Sequence, residues 1–310
     1  MEIRKIGLSD LFSQLGSSFE LVAGHPGRFA LASIYSVLVP LVLMTLVIGG
    51  GYLFARFDET QAAALLKALQ EQQPEILIYI YLYIVLVYLA LVPLFAGWLI
   101  LCRQTDSGIS ASAVTPFSLY TSRTAWIKLV PYFIVGTLFY IAFIYLFELL
   151  MLVFGIDMQA ASRSMDPNAG GDPMAALTLG SSYWTAVCLS AILGFFLQAM
   201  LYLGFAQCAL TESSLSGSLK AGVAGVLKNL LPIFSFALLI IIALVLVTLF
   251  GILAVVVLNI IHEGMTTVLG GLIMLLLLLF GYPIGFAFLY YVWNGILGDA
   301  RQSEDRELPA

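Results

Sequence analysis

"LLIIIALVLVTLFGILAVVVL", residues 238–258, carries one hydroxyl, Thr248, and no charge. A spanning helix needs about 20 mostly apolar residues, because each residue rises about 1.5 Å through a hydrocarbon layer about 30 Å thick. Backbone amides find no water there, so a spanning segment is either a helix or a strand of a closed barrel. Barrel strands alternate apolar and polar residues over about 10 positions. This stretch does not alternate, and it reads as a transmembrane helix.

Working outward, six stretches meet the same test: 29–54, 76–102, 129–156, 183–210, 230–261 and 267–298. Only the third contains a charge, Glu148. Composition agrees, with 61% hydrophobic residues, 10% charged residues and a mean hydropathy of +1.03. Soluble domains are about half apolar and about a quarter charged. The surplus apolar surface needs lipid as its solvent. The expected fold is an all-α integral membrane protein with six transmembrane helices and amphipathic surface helices on the cytoplasmic side. It divides into an amphipathic N-terminal segment (1–28), a membrane domain (29–298) and a short tail (299–310). The first 28 residues are too polar for a signal peptide, so the first apolar run is expected to remain as a span. A net charge of −5, spread along the chain, leaves no footprint for nucleic acid.

Basic residues set the orientation. With the N-terminus inside, the inner segments hold Arg4, Lys5, Arg28, Arg103, Arg123, Lys128, Lys220, Lys228, Arg301 and Arg306. The outer loops hold only Arg56, Lys67 and Arg163. Ten against three places both termini in the cytoplasm.

The inner segments carry amphipathic patterns. In "LSDLFSQLGSSFELVAG", Leu8, Leu11, Phe12, Leu15, Phe19 and Val22 form a helical stripe, with Ser9 as the expected cap. Its polar face bears Asp10 and Glu20, so buried apolar area rather than attraction to anionic lipid must hold it down. In "TPFSLYTSRTAWIKL", Thr115 and Pro116 suggest an N-cap and first turn. Phe117, Tyr120 and Ile127 share a face there, with Trp126 at interfacial depth. "SLSGSLKAGVAGVLKNL" places Leu219, Val223, Val226, Leu227 and Leu230 together, weakened as a helix by Gly222 and Gly225. In the first outer loop, Asp58 and Gln61 resemble a capping box, and Pro74 is expected to end the short helix that follows. The second outer loop, rich in Gly, Pro and Asp, reads as irregular.

Pro26, Pro131 and Pro232 sit where each inner amphipathic helix gives way to a span. Proline lacks an amide donor and disfavours helix in the residue before it, so each is expected to mark a turn from the membrane plane into the membrane. Lys128 and Lys228, snorkelling to the interface, precede two of them. These three units, with "PLFAGWLILCR" closing the second span at Arg103, resemble a loose group of six-helix bacterial inner-membrane proteins. The group comprises the YciC-like proteins and the membrane domain attached to some glycerophosphodiester phosphodiesterases. The resemblance implies a bacterial inner (plasma) membrane. It transfers no catalytic residue, and the soluble phosphodiesterase domain does not occur in this sequence.

No nucleophile elbow, P-loop, dinucleotide fingerprint or zinc-protease helix occurs, so no enzyme activity and no cofactor is expected. His25 and His262 read as interface residues, and Cys102, Cys188 and Cys208 as small packing residues. Asp166 and Asp172 have the wrong spacing for a calcium loop, so no metal site is expected. The tyrosines at 79, 81, 83 and 88 read as an interfacial belt. Glu148 is the candidate intramembrane polar site, with Gln198 near the middle of span four as its candidate partner. "GYPIG", from Gly281 through Pro283 to Gly285, is a candidate kink and close-contact point. Two functions fit. One is a non-enzymatic membrane protein acting on lipid organisation or on an envelope partner. The other is a small transporter or channel with a cavity near Glu148. The expected partners are membrane lipids, a second copy of the chain or another membrane protein.

Overall fold

A computed structural model describes residues 3–55, 74–154, 181–261 and 265–298. The described residues form helices only. They are α1 (Leu8–Gly24), α2 (Pro26–Ala55), α3 (Pro74–Asp106), a 3₁₀ helix (Thr115–Thr121), α4 (Arg123–Val153), α5 (Ser181–Leu210), α6 (Leu215–Lys228), α7 (Leu230–Ile261), α8 (Met265–Leu276), a π turn (Leu277–Gly281) and α9 (Tyr282–Leu297). Three helices are long and apolar enough to cross a membrane among the described residues: Arg123–Val153, Tyr183–Leu210 and Gly270–Leu297. A fourth crossing follows if the pair Leu215–Lys228 and Leu230–Ala243, bent by 77°, counts as one span. The first outer-loop helix, His262, Asp166 and Asp172 lie outside the described residues, as do the side chains of the tyrosine belt.

The packed core lies at one end of the bundle. Phe29, Trp98, Leu99, Cys102, Leu203, Ala206, Val226, Tyr290, Trp293 and Ile296 form it, at the start of α2, the ends of α3, α5 and α9, and along α6. Trp98 is completely buried, its ring stacked on Phe286 and its Nε1–H donating to Ser36 Oγ at 2.9 Å. Around this core α1, the 3₁₀ helix and α6 make a collar that contributes Leu11, Val22 and Val226 to it.

The collar packs on the protein's own helices. In α1, Leu11, Ser18, Leu21 and Val22 are buried, whereas Phe12 and Phe19 are half exposed. The predicted stripe therefore splits. One edge faces the bundle, Phe12 reaches Phe236 of α7 edge-on at 5.2 Å, and Phe19 looks outward. Nor does Ser9 cap this helix. Gly7 is the N-cap in extended backbone, and its N–H donates to Asp10 Oδ2 at 2.6 Å. The carboxylate at the third helical position reaches back to the N-cap amide, the half of a capping box that needs no N-cap side chain.

The three prolines differ. Pro26 opens α2 at its first position, where a missing amide costs nothing. Pro232 is the third residue of α7, immediately after the 77° bend. Pro131 marks no break, because α4 runs through it from Arg123. The chain turns earlier, at Ser122, whose Oγ accepts from Ala125 N–H at 3.3 Å. The cap arrests the preceding 3₁₀ helix before proline can. Val114, not Thr115, is the N-cap of that 3₁₀ helix. Pro74 is the first residue of α3, and the short helix it was expected to end lies outside the described residues.

Glycine distribution explains how the collar fits. A Cβ at Gly222 would strike the Met200 carbonyl and lie 2.9 Å from the Gly204 nitrogen. One at Gly204 would lie 2.8 Å from the Ser218 carbonyl and against the Tyr132 hydroxyl. The glycines that weaken α6 as an isolated helix thus let its backbone touch that of α5. Gly97 does the same for α3 against the backbone of Pro116. The expected contact motif at Gly281 and Gly285 behaves otherwise. Gly281 would meet only Leu277 of its own element, and Gly285 faces open space. What "GYPIG" marks is a change of helical pitch. Pro283 has no amide for the Leu279 carbonyl, and the π turn ending at Gly281 widens the helix ahead of it.

Gly222→Ala should lower stability, because overpacking typically costs about 1–3 kcal/mol and exceeds the gain of about 1 kcal/mol in helix propensity. Gly16→Ala, on the open face of α1, should keep that gain. Denaturation of the two variants in detergent should therefore move in opposite directions.

Candidate functional site

The ends of α3, α5 and α9 and the start of α4 come together at the collar. They enclose a cleft of about 820 Å³. Its wall includes Arg103 from α3, Ser122 and Lys128 from the start of α4, Gln207 to Ser213 from the end of α5 and the loop beyond it, and Trp293 and Leu297 from α9. Each polar group has a local reason to be there. Arg103 stands in the last turn of α3, where a cation complements the helix dipole. Its Nη1 donates to the Leu210 carbonyl at 2.7 Å, satisfying a carbonyl that α5 leaves unpaired at its own end.

Gln207 is buried and fixes the cleft floor. Its Oε1 accepts from Trp293 Nε1–H at 2.8 Å, and its Nε2 donates to Thr211 Oγ1 at 3.1 Å. Thr211 Oγ1 donates back to the Gln207 carbonyl at 2.7 Å, and Ser213 Oγ pairs with Ser218 Oγ of α6 at 2.7 Å. Cys208 Sγ lies 3.8 Å from the Lys128 carbonyl. At the mouth, Lys128 Nζ donates to Glu212 Oε2 at 2.6 Å, with Glu212 almost fully exposed. The hydrogen bond and the charge of Lys128 hold the Glu212 carboxyl below its usual range.

Two further polar clusters brace the cleft. Asp106 accepts from Tyr290 Oη at 2.9 Å and Tyr291 Oη at 2.7 Å, tying the end of α3 to α9. Asn229, at the bend between α6 and α7, is buried with all three of its bonds made. Its Oδ1 accepts from Ile6 N–H at 2.8 Å, and its Nδ2 donates to the carbonyls of Arg4 and Gly225, each at 2.9 Å. Lys228 Nζ donates to the Ile3 carbonyl, and Arg4 N–H to the Ile296 carbonyl at 3.0 Å. The stretch before α1 is thus clamped to both α9 and the bend.

The residues predicted as a site are not brought together. Glu148 lies on an exposed face of α4 and makes no hydrogen bond or ion pair among the described residues. Gln198 donates to Tyr202 Oη at 2.7 Å, one turn along its own helix. His25 ends α1, with its N–H on the Val22 carbonyl at 3.2 Å. Cys102 and Cys208 are buried, but Cys188 is exposed. Sequence reading missed Gln207 and Asn229. The available signal was a carboxamide in an otherwise apolar stretch close to an inner boundary, which marks a polar group that needs partners.

No protein-family model, no curated protein and no solved structure matches the chain.

Gln207→Leu would leave the indole N–H of Trp293 buried without its acceptor and should cost about 1–3 kcal/mol. Glu212→Gln should leave the melting temperature unchanged, as expected for an exposed ion pair. The sign of the pH effect follows from the lowered carboxyl. The pair is complete above the usual carboxylate range and is lost as pH falls through the lowered value. Titration of the Glu212 carboxyl by NMR in wild type and Lys128→Gln should show the value return to normal in the variant.

Proposed function

We propose that the chain is a six-span protein of a bacterial inner membrane, with both termini in the cytoplasm, and that it organises lipid without covalent chemistry. One observation supports this most: the contrast between the buried collar core and the exposed apolar stretches of the long helices. None of the most apolar 18-residue stretch of α4 is buried, and only 22% and 11% of those in Tyr183–Leu210 and Gly270–Leu297 are. Exposed aliphatic and aromatic residues such as Leu138, Ile141, Tyr145 and Leu152 run the length of α4. Helices joined at the collar, with their apolar stretches largely uncovered, offer lipid chains a long, grooved perimeter. In hydrocarbon such exposure carries no penalty, because lipid tails are as apolar as leucine. The ten-to-three distribution of basic residues supports the orientation.

A carrier built around Glu148 draws less support, because that carboxyl lies on an exposed face about one and a half turns from the end of α4.

Reconstitution tests the reading. Acyl-chain order in phosphatidylethanolamine–phosphatidylglycerol vesicles should change with protein content more than for an unrelated six-span protein, and Glu148→Gln should behave as wild type. Solute flux that Glu148→Gln abolishes would replace this reading with the carrier. Phosphatase fusions in the loop 159–173 should be active and fusions at Ser216 inactive; the reverse would invert the orientation.

A further inference from the structure

The collar cleft gathers cationic donors and hydroxyl groups around a space large enough for a small ligand. Arg103 spends one guanidinium nitrogen on the Leu210 carbonyl and has no other hydrogen bond among the described residues. Lys128 enters from the second turn of α4, and the N-terminal turn of that helix, at Ser122, lines the same wall. Thr211 faces them from the loop after α5. Against these donors stands one acid, Glu212, whose carboxylate sits on Lys128 at 2.6 Å. Glu212 is 96% exposed, and among the described residues only Lys128 holds it. A carboxylate on a free side chain marks where an anionic oxygen is stable in this cleft, and it is removable. Leu129 and Leu297 make the remaining wall apolar. The cleft therefore joins charged donors to an apolar face at the level where the long helices leave their apolar stretches.

We propose that this cleft binds a phosphate ester, with Arg103 and Lys128 on the phosphate oxygens and Glu212 as a built-in competitor that the ligand displaces. Arginine and lysine are the usual partners of phosphate, and charge-assisted bonds are about twice as strong as neutral ones. The occupant favoured by the apolar wall is the headgroup of an anionic phospholipid of the adjoining leaflet. A soluble phosphate monoester shares the chemistry without using that wall. Assigning the lipid to the inner leaflet rests on the orientation proposed above; binding to the cleft does not.

Native mass spectrometry of the full chain released from detergent tests the site. Phosphatidylglycerol should be retained about tenfold over phosphatidylcholine, and Lys128→Gln should remove most of that preference, as expected for one charge-assisted contact. Glu212→Gln, which removes the competitor, should raise retention several-fold, a gain that a merely structural role for the pair would not produce. Arg103→Gln should act like Lys128→Gln. Because it also strips a cap from α5, the lysine variant decides if the arginine variant fails to fold. Thermal shift with glycerol 3-phosphate separates the sources. Stabilisation by it without a lipid preference, lost in Lys128→Gln, keeps the phosphate site and assigns it a soluble ester. Equal retention of both lipids with no shift overturns the proposal, as does equal behaviour of wild type, Lys128→Gln and Glu212→Gln. Vesicle lipid order that depends on the protein while Lys128→Gln changes nothing would sink this proposal alone and leave the lipid-organising reading standing.

Discussion

A long apolar helix satisfies its own backbone, but a break in it does not, and hydrocarbon supplies no replacement donors or acceptors. That constraint organises the described part of this molecule. The breaks at His25, Ser122, residues 211–214 and Asn229 all fall at one end, and each has a partner at hand. Ser122 and Ser214 cap the helices that follow them. Asn229 closes the bend between α6 and α7 and carries the backbone of the N-terminal stretch as well. At the end of α3, Gly108 adopts the left-handed conformation, with φ of 69°, that a helix terminus of this kind favours. Where Pro93 removes a donor within α3, Tyr120 Oη of the 3₁₀ helix donates to the neighbouring Ala90 carbonyl at 2.6 Å. The collar is thus the set of groups that makes the broken ends of membrane helices tolerable.

Close packing makes the collar rigid. Gly97, Gly204 and Gly222 let backbone rest on backbone, and the side chains around them interdigitate without room for a methyl group. Rigidity at this end and exposure along the helices are consequences of one solvent change. Where water begins, apolar surface must be covered by protein. Where lipid surrounds the chain, covering it gains little. The cleft arises at the seam between these regimes. α4 leaves the collar at Ser122 while α5 ends at Leu210, and the space between them is lined by the polar groups that terminate each helix.

The long helices were legible because their signal is additive. Twenty apolar residues in a row have few alternatives, and α2, α3, α4, α5, α7 and the α8–α9 pair fall on the six predicted stretches. The amphipathic segments were legible as helices but not in their seating. Six apolar positions in α1 announce a buried stripe, yet only contact with α9 and α7 decides that Leu11 goes in while Phe19 stays out. Proline was ambiguous for a related reason. Its effect depends on where the helix starts, and a cap such as Ser122 can set that start before proline acts. Gly222 looked like a weakness because propensity is a property of an isolated helix, whereas its role belongs to a pair.

Of the candidate site, Lys128 and Arg103 stood out as basic residues at an inner boundary. Gln207 did not, because a single carboxamide shows its importance only when Trp293, distant along the chain, is placed against it. Hydropathy alone determined which segments favour lipid, since that follows from transfer of residues between solvents, one residue at a time. Tertiary structure alone decided which breaks share an end, which glycines meet a neighbour and where cations converge on a cleft. Those outcomes depend on distances between residues far apart in the chain, and no local sum contains them.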